Sequence, residues 1–252
     1  MHDSVHQMPR WGNEARDRKA LAIWLTLVQC CGSRIAEGAW LDVGCGSGGI
    51  AATLATKARH VTGIDPEPWE AWAGAMTAHV NLSLITGVFD GETSPIADAS
   101  IDVVVCNQVY EHVTDPIALL RNIHRVLVPG GNCYFAGPNL LWPIEPHVFW
   151  PFVHWLPRQT AQSLMRALGS RQADALDAHS THCWRLRRWF RDSGFDVRFG
   201  LRARIVAELE VRGHIGCANW ARHVPIGLVG IGEPVAPGFI YVLKKLDRVG
   251  HG

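Results

Sequence analysis

The stretch LDVGCGSGGI, residues 41–50, sets four glycines and a carboxylate within ten positions. Gly44, Gly46 and Gly49 satisfy the spacing G-x-G-x-x-G, in which missing side chains let a backbone turn tightly, approach a ligand and open directly into a helix. Asp65 follows 21 positions after Gly44. At the end of the next strand, such a carboxylate accepts hydrogen bonds from both hydroxyls of a ribose. These two features taken alone fit a nicotinamide dinucleotide. A nucleoside triphosphate is excluded, because the loop lacks the Gly-Lys-Ser/Thr ending that holds phosphates and metal.

Asp42, two positions before the first glycine, argues against a dinucleotide. A carboxylate beside a pyrophosphate is repelled by roughly 4 kcal/mol for unit charges about 4 Å apart at an effective dielectric near 20. A ligand bearing an ammonium group and no phosphate is favoured instead. S-adenosylmethionine meets both conditions: adenine and ribose for the second strand, a sulfonium, and an amino acid ammonium for Asp42.

The elements that must position these residues follow from periodicity. Ala20, Ile23, Trp24, Leu27, Val28 and Cys31 recur at helical spacing, giving an amphipathic helix that ends near Gly32 and forms a lid or flank. AWLDV is a short buried strand, the glycines a turn, and GIAATLATKA a helix. HVTGID, LSLITGVF, SIDVVVCNQ and NCYFAGPN are further strands, separated by EPWEAWAGAMTAH and DPIALLRNIHRVL as helices, with a turn at VPGG. SIDVVVCNQ, a β-branched run bounded by polar residues, is the best candidate for a central parallel strand buried on both faces. After residue 138 the alternation breaks into a proline- and tryptophan-rich insertion, then resumes with RLRRWFRDSGFDVRF and a last strand, GFIYVLKKL. Strands alternating with helices predict an α/β fold with a mostly parallel sheet in a single domain over residues 1–252: a flank (1–39), a cofactor core (40–138), an acceptor-binding insertion (139–182) and the closing part of the sheet (183–252).

The motifs LDVGCGSGG, VTGIDPEP, DGETSPIADASIDVVVCNQVYEHVTDP and RVLVPGGNCYFAGPN resemble, in order, those of the class I S-adenosylmethionine-dependent methyltransferases of the small-molecule group. The resemblance covers residues 40–139. It implies a Rossmann-like seven-stranded sheet with an antiparallel last strand and helices on both faces. It also implies that Gly44, Gly46 and Gly48 admit the methionine portion of the donor, that Asp42 holds its amino group, and that Asp65, with Pro66 beside it, binds the ribose. Asp90 and Gly91 would meet the adenine amine, and Asn107 would lie at the methyl end.

Three residues are candidates for proton transfer. His112, in YEHV, is a structural loop residue, a contact of substrate or cofactor, or a metal ligand. A Glu-x-x-Glu-His pattern in related quinone-precursor O-methyltransferases is associated with metal, but Gln108 replaces the first glutamate, and no metal is expected. His147 and Glu145, in the insertion, are the other candidate bases, whereas His154 is read as structural. Trp142, Trp150 and Trp155 either line an apolar acceptor cavity, form a satellite core, or dock on a membrane to reach a lipid-linked acceptor. The pair His179 and His182 beside Cys183 lacks the second half of a zinc site, and Arg185 to Arg191 reads as a solvated helix face.

A formal net charge of +1 offers no basic face for nucleic acid. The polar N-terminus is no signal peptide, no apolar run reaches a membrane span, and seven scattered cysteines without a CxxC pair fit a reducing cytoplasm. The expected activity is transfer of the sulfonium methyl to a small organic acceptor, an O-methylation of a natural-product, sugar or lipid-linked hydroxyl. Its rivals are an NAD-dependent oxidoreductase and a non-catalytic S-adenosylmethionine-binding module. Oligomeric state stays open.

Overall fold

The computed structural model describes residues 13–89, 94–144, 149–171, 173 and 180–246. Its centre is strand β4 (Ile101–Asn107). Val103 and Val105 pack on one face of the sheet, and Val104 and Cys106 on the other. A continuous apolar run is what a strand covered on both sides requires. Around it lie β1 (Ala39–Val43), β2 (His60–Asp65), β3 (Leu82–Thr86), β5 (Leu127–Pro138), β6 (Phe195–Phe199) and β7 (Gly238–Lys245) in the order β3-β2-β1-β4-β5-β7-β6. β7 runs antiparallel to both β5 and β6, and the other pairings are parallel. This is the seven-stranded arrangement expected from the sequence.

On one face, α4 (Pro116–Val126) and α6 (Cys183–Asp192) bury Leu120, Ile123, Leu186 and Phe190. The Asp115 carboxylate starts α4 by accepting from the amides of Ile117 (2.9 Å) and Ala118 (3.0 Å), and Pro116 stands where its missing N–H costs nothing. The other face is covered by α1 (Asn13–Cys31), α2 (Gly49–Ala55) and α3 (Ala71–Ala78), with α7 (Leu201–Val211) against α1. Ile23 and Leu27 of α1 are fully buried, and Trp24 stacks on Trp40 with ring centroids 5.2 Å apart. The N-terminal helix therefore packs as a layer on the core.

One boundary differs from the expectation. The VPGG segment does not end the helix in a free turn: Leu127 already pairs with Ile101, and β5 absorbs Gly130 (φ 74°) in a register shift before Asn132 meets Val103. The insertion after β5 is closed at its base by a bridge between Asn139 and Thr181, and it contains a 3₁₀ turn (Val153–Trp155) and α5 (Arg158–Ala167). Between β6 and β7, α7 is followed by α8 (Ile215–His223) and α9 (Ile226–Ile231).

The end of β5 is packed tightly. A Cβ on Gly137 would stand 2.2 Å from Tyr110 Cε1, and the Tyr110 hydroxyl donates to the Pro138 carbonyl at 2.5 Å. Gly137→Ala must therefore displace a buried, hydrogen-bonded ring. Overpacking of this kind costs about 1–3 kcal/mol, a loss of stability that urea denaturation of the variant and parent will read.

Candidate functional site

The site begins where β1 ends. Gly44, Gly46 and Gly48 have φ of 66°, 52° and 79°, a region that side chains rarely enter, and Gly49 then opens α2. Side chains are excluded by space as well: a Cβ on Gly44 would lie 2.8 Å from Val109 Cγ2, and one on Gly48 2.8 Å from Leu84 Cδ1. The loop is tied to the second strand. Gly44 and Cys45 donate to the Ile64 carbonyl at 2.9 and 3.2 Å, and the Gly46 amide donates to Asp65 Oδ2 at 2.8 Å. Trp72 Nε1 holds the Gly46 carbonyl at 2.8 Å. Asp65 Oδ1 also accepts from the Glu67 amide at 3.2 Å. A carboxylate has about four lone-pair sites, so two stay available for hydroxyls.

Asp42 is 2% exposed, and its Oδ2 is buried without a hydrogen-bond partner. Burial pushes its pKa up to about 7; Lys19 pulls it down, and the charge of Asp65 pushes it further up. The Lys19 ammonium is itself held below its ordinary value, first by burial, then by Arg204, while Asp42 and Glu111 pull it back and Arg16 lowers it. Arg16 donates to the Ser47 hydroxyl inside the glycine loop. Arg16 and Lys19 were not singled out from the sequence. The signal was there: Lys19, Ile23 and Leu27 form an i, i+4, i+8 line, so a cation heads the stripe that enters the core.

Two cavities flank the loop. One of about 410 Å³ is lined by Arg16, Ser47, Gly48, Trp69 and Glu70. The other, about 490 Å³, is walled by Gly44, Pro66, Phe89, Val109, His112 and Leu119. Gly44, Pro66 and His112 therefore come together. Glu111 and His112 part company, since Glu111 is completely buried and His112 faces the cavity as an exposed residue. Asn107 ends β4 opposite Ala136, half-buried, and is not on either cavity wall. Asp90, Gly91, Glu145 and His147 lie outside the described residues.

The remaining sequence candidates have structural places. His154 Nε2 contacts the carbonyls of Leu140 (3.1 Å) and Trp142 (2.9 Å). Trp150 packs on Val153, Ala161, Met165 and Ala173, a satellite core, and the Trp155 indole N–H donates to the Leu140 carbonyl. His182 Nδ1 accepts from the Arg185 amide at 3.2 Å, capping α6, and Cys183 is buried in the core. Arg187 departs from the solvated-face reading: it pairs with the buried Glu233.

Residues 41–135 match the methyltransferase domain family. The sequence match over residues 41–135 supports a class I S-adenosylmethionine-dependent methyltransferase, and the solved structures share its fold. More particularly, the chain is similar to the ubiquinone biosynthesis O-methyltransferase of Vibrio parahaemolyticus, 35% identical over 102 residues, 39% of this chain and 43% of that protein. The protein of the same name from Pseudomonas paraeruginosa is 29% identical over 172 residues, 63% of this chain and 64% of that one. The chain thus spans about two fifths of the length of the first of these relatives. An S-adenosylmethionine-dependent methyltransferase from Mesorhizobium loti shares the fold, with a TM-score of 0.57 at 17% identity over 90% of this chain and 100% of that one.

Because the Asp42 pKa is raised on folding, its protonated form is the one that folding favours. The stability linked to Asp42 is fully present below the ordinary carboxylate value and is lost as the pH rises through about 7. Asp42→Asn removes that pH-dependent cost. Urea denaturation should find the variant more stable than the parent by about 1–3 kcal/mol at pH 8, with the gain shrinking toward zero as the pH falls to 4.

Proposed function

We propose that the protein transfers the methyl group of S-adenosylmethionine to a hydroxyl of a small, apolar organic acceptor. One observation supports the donor above all: a buried carboxylate oxygen on Asp42, without a hydrogen-bond partner, at the head of a loop of three left-handed glycines. A pyrophosphate there would meet a second negative charge, whereas an ammonium would supply the missing donor. The acceptor reading leans on the relatives' name, which points to phenolic precursors of a quinone.

When bound, the donor supplies a methyl group on a sulfonium, already activated toward a nucleophile. The chain's own residues then bind, orient and move a proton. Asp42 takes the ammonium, with Lys19 beside it to balance the carboxylates, and Arg16 with Ser47 stiffens the loop. Asp65 keeps its hold on Gly46 and accepts the ribose hydroxyls with its free lone pairs. Pro66, Phe89 and Leu119 form the apolar wall for the adenine and exclude water. His112, which lines the same cavity, would take the proton of the acceptor hydroxyl through a ring nitrogen. Asn107, Asp90, Gly91, His147 and Glu145 keep the roles expected of them from the motifs and the insertion.

Calorimetry should show binding of S-adenosylhomocysteine and none of NAD; NAD binding without S-adenosylhomocysteine binding contradicts the donor assignment. Asp65→Ala should weaken S-adenosylhomocysteine binding by about 2–3 kcal/mol, roughly 30- to 150-fold, through loss of charge-assisted hydrogen bonds. Methyl transfer from labelled donor to dihydroxybenzenes with and without a prenyl chain tests the acceptor. Transfer favouring the prenylated compounds is expected, and transfer to amines alone would replace the O-methyl reading.

A further inference from the structure

The net charge of +1 conceals a division. Residues 1–150 carry 9 Lys and Arg against 15 Asp and Glu, whereas residues 151–232 carry 12 against 6. The basic part also contains an apolar surface that no part of the described chain covers. α8 turns Ala218 and Ala221 toward Val206 of α7 and leaves Ile215 54% and Trp220 74% exposed. No side chain of α9 is buried; Ile226, Leu228 and Ile231 are 51%, 61% and 76% exposed, and Val235 follows at 63%. From residue 224 to 237 the single charged side chain is Glu233, which is turned inward to Arg187 and Tyr241.

At the foot of this surface lies a cavity of about 580 Å³, apart from both cavities of the glycine loop. Arg198, Arg202 and Arg222 line it together with Ile226 of α9. Arg202 is fixed by donating to the Val224 carbonyl at 3.1 Å, and Arg222 is held by Glu210. Arg198 donates to the Cys30 carbonyl at 3.2 Å and lies 3.8 Å from Asp196. Three guanidiniums thus border an apolar segment. A protein partner would have to bring acidic groups and a shaped apolar face; a bilayer of anionic lipid offers phosphates and hydrocarbon side by side.

We propose that α8 and α9 form a docking surface for an anionic phospholipid bilayer: Trp220, Leu228 and Ile231 enter the headgroup boundary while a lipid phosphate sits among Arg198, Arg202 and Arg222. No helix among the described residues is long and apolar enough to cross a membrane, so this is attachment in the plane of the interface. The surface is independent of which acceptor the protein methylates.

The test is flotation of the full chain with vesicles of phosphatidylcholine alone and of an equimolar mixture with phosphatidylglycerol. Binding to the mixed vesicles alone is expected, weakening as salt is raised. Leu228→Asp combined with Ile231→Asp, at exposed positions, should lower vesicle binding about tenfold or more while melting temperature and S-adenosylhomocysteine binding stay unchanged. Arg198→Gln with Arg202→Gln should remove the preference for anionic lipid. No flotation, equal binding to both vesicles, or calorimetric binding of inorganic phosphate without flotation would overturn the proposal. So would a dimer in ultracentrifugation that the Leu228 and Ile231 substitutions dissolve, since the face would then belong to a second copy of the chain.

Discussion

A carboxylate buried at the end of β1 with one oxygen lacking a partner is the constraint on which the rest of this site turns. Asp42 lies on a strand flanked on both sides by parallel neighbours, so its position cannot relax without disturbing the middle of the sheet. Burying such a group unpaired is costly, and the chain moderates the cost without abolishing it. Lys19 is brought up from α1, and the carboxyl stays protonated to nearly neutral pH. The remaining imbalance can be relieved by a cation that arrives from outside. On the proposed reading, affinity for a positively charged ligand is prepared during folding, when α1 buries Ile23 and Leu27 and carries Lys19 and Arg16 to the loop.

The opposite edge of the site is built by different means. Asn139, just past β5, donates its side-chain amide to the Pro234 and Ala236 carbonyls at 2.8 and 2.9 Å and accepts from the Leu141 amide at 3.0 Å. Glu233 is buried and satisfied by Arg187 and Tyr241. Together these fix the approach to β7 beside the point where the insertion leaves the sheet. The rigid end of β5 and the pinned entry to β7 therefore meet at one corner, from which the tryptophan-rich segment extends.

Much of the fold was legible in the sequence because its signals are local. The β-branched run of β4, the glycine turn after β1, and the Asp-Pro start of α4 each specify their element by backbone chemistry alone. The boundary of β5 was not legible, since pairing of Leu127 with Ile101 is a contact between distant residues that outweighs the turn preference of VPGG. The exposed character of α9 was equally hidden: an apolar hexapeptide reads as core until its neighbours are known. Of the candidate site, Asp42, the glycines and Asp65 are read from spacing and His112 from the YEHV motif, and Gly44, Pro66 and His112 meet on one cavity. Arg16 and Lys19 escaped notice because their relevance arises from how α1 docks, which depends on its packing against α2 and α7.

The measurement that bears most directly on the central claim is the proton balance of S-adenosylhomocysteine binding, obtained by calorimetry in buffers of different ionisation enthalpy. If the ligand's ammonium occupies the vacant side of Asp42, binding at pH 7 must drive the carboxyl to its charged form and release about half a proton, and Asp42→Asn must abolish that release. Binding with no proton released by the parent, or with the same release from parent and variant, would contradict the account.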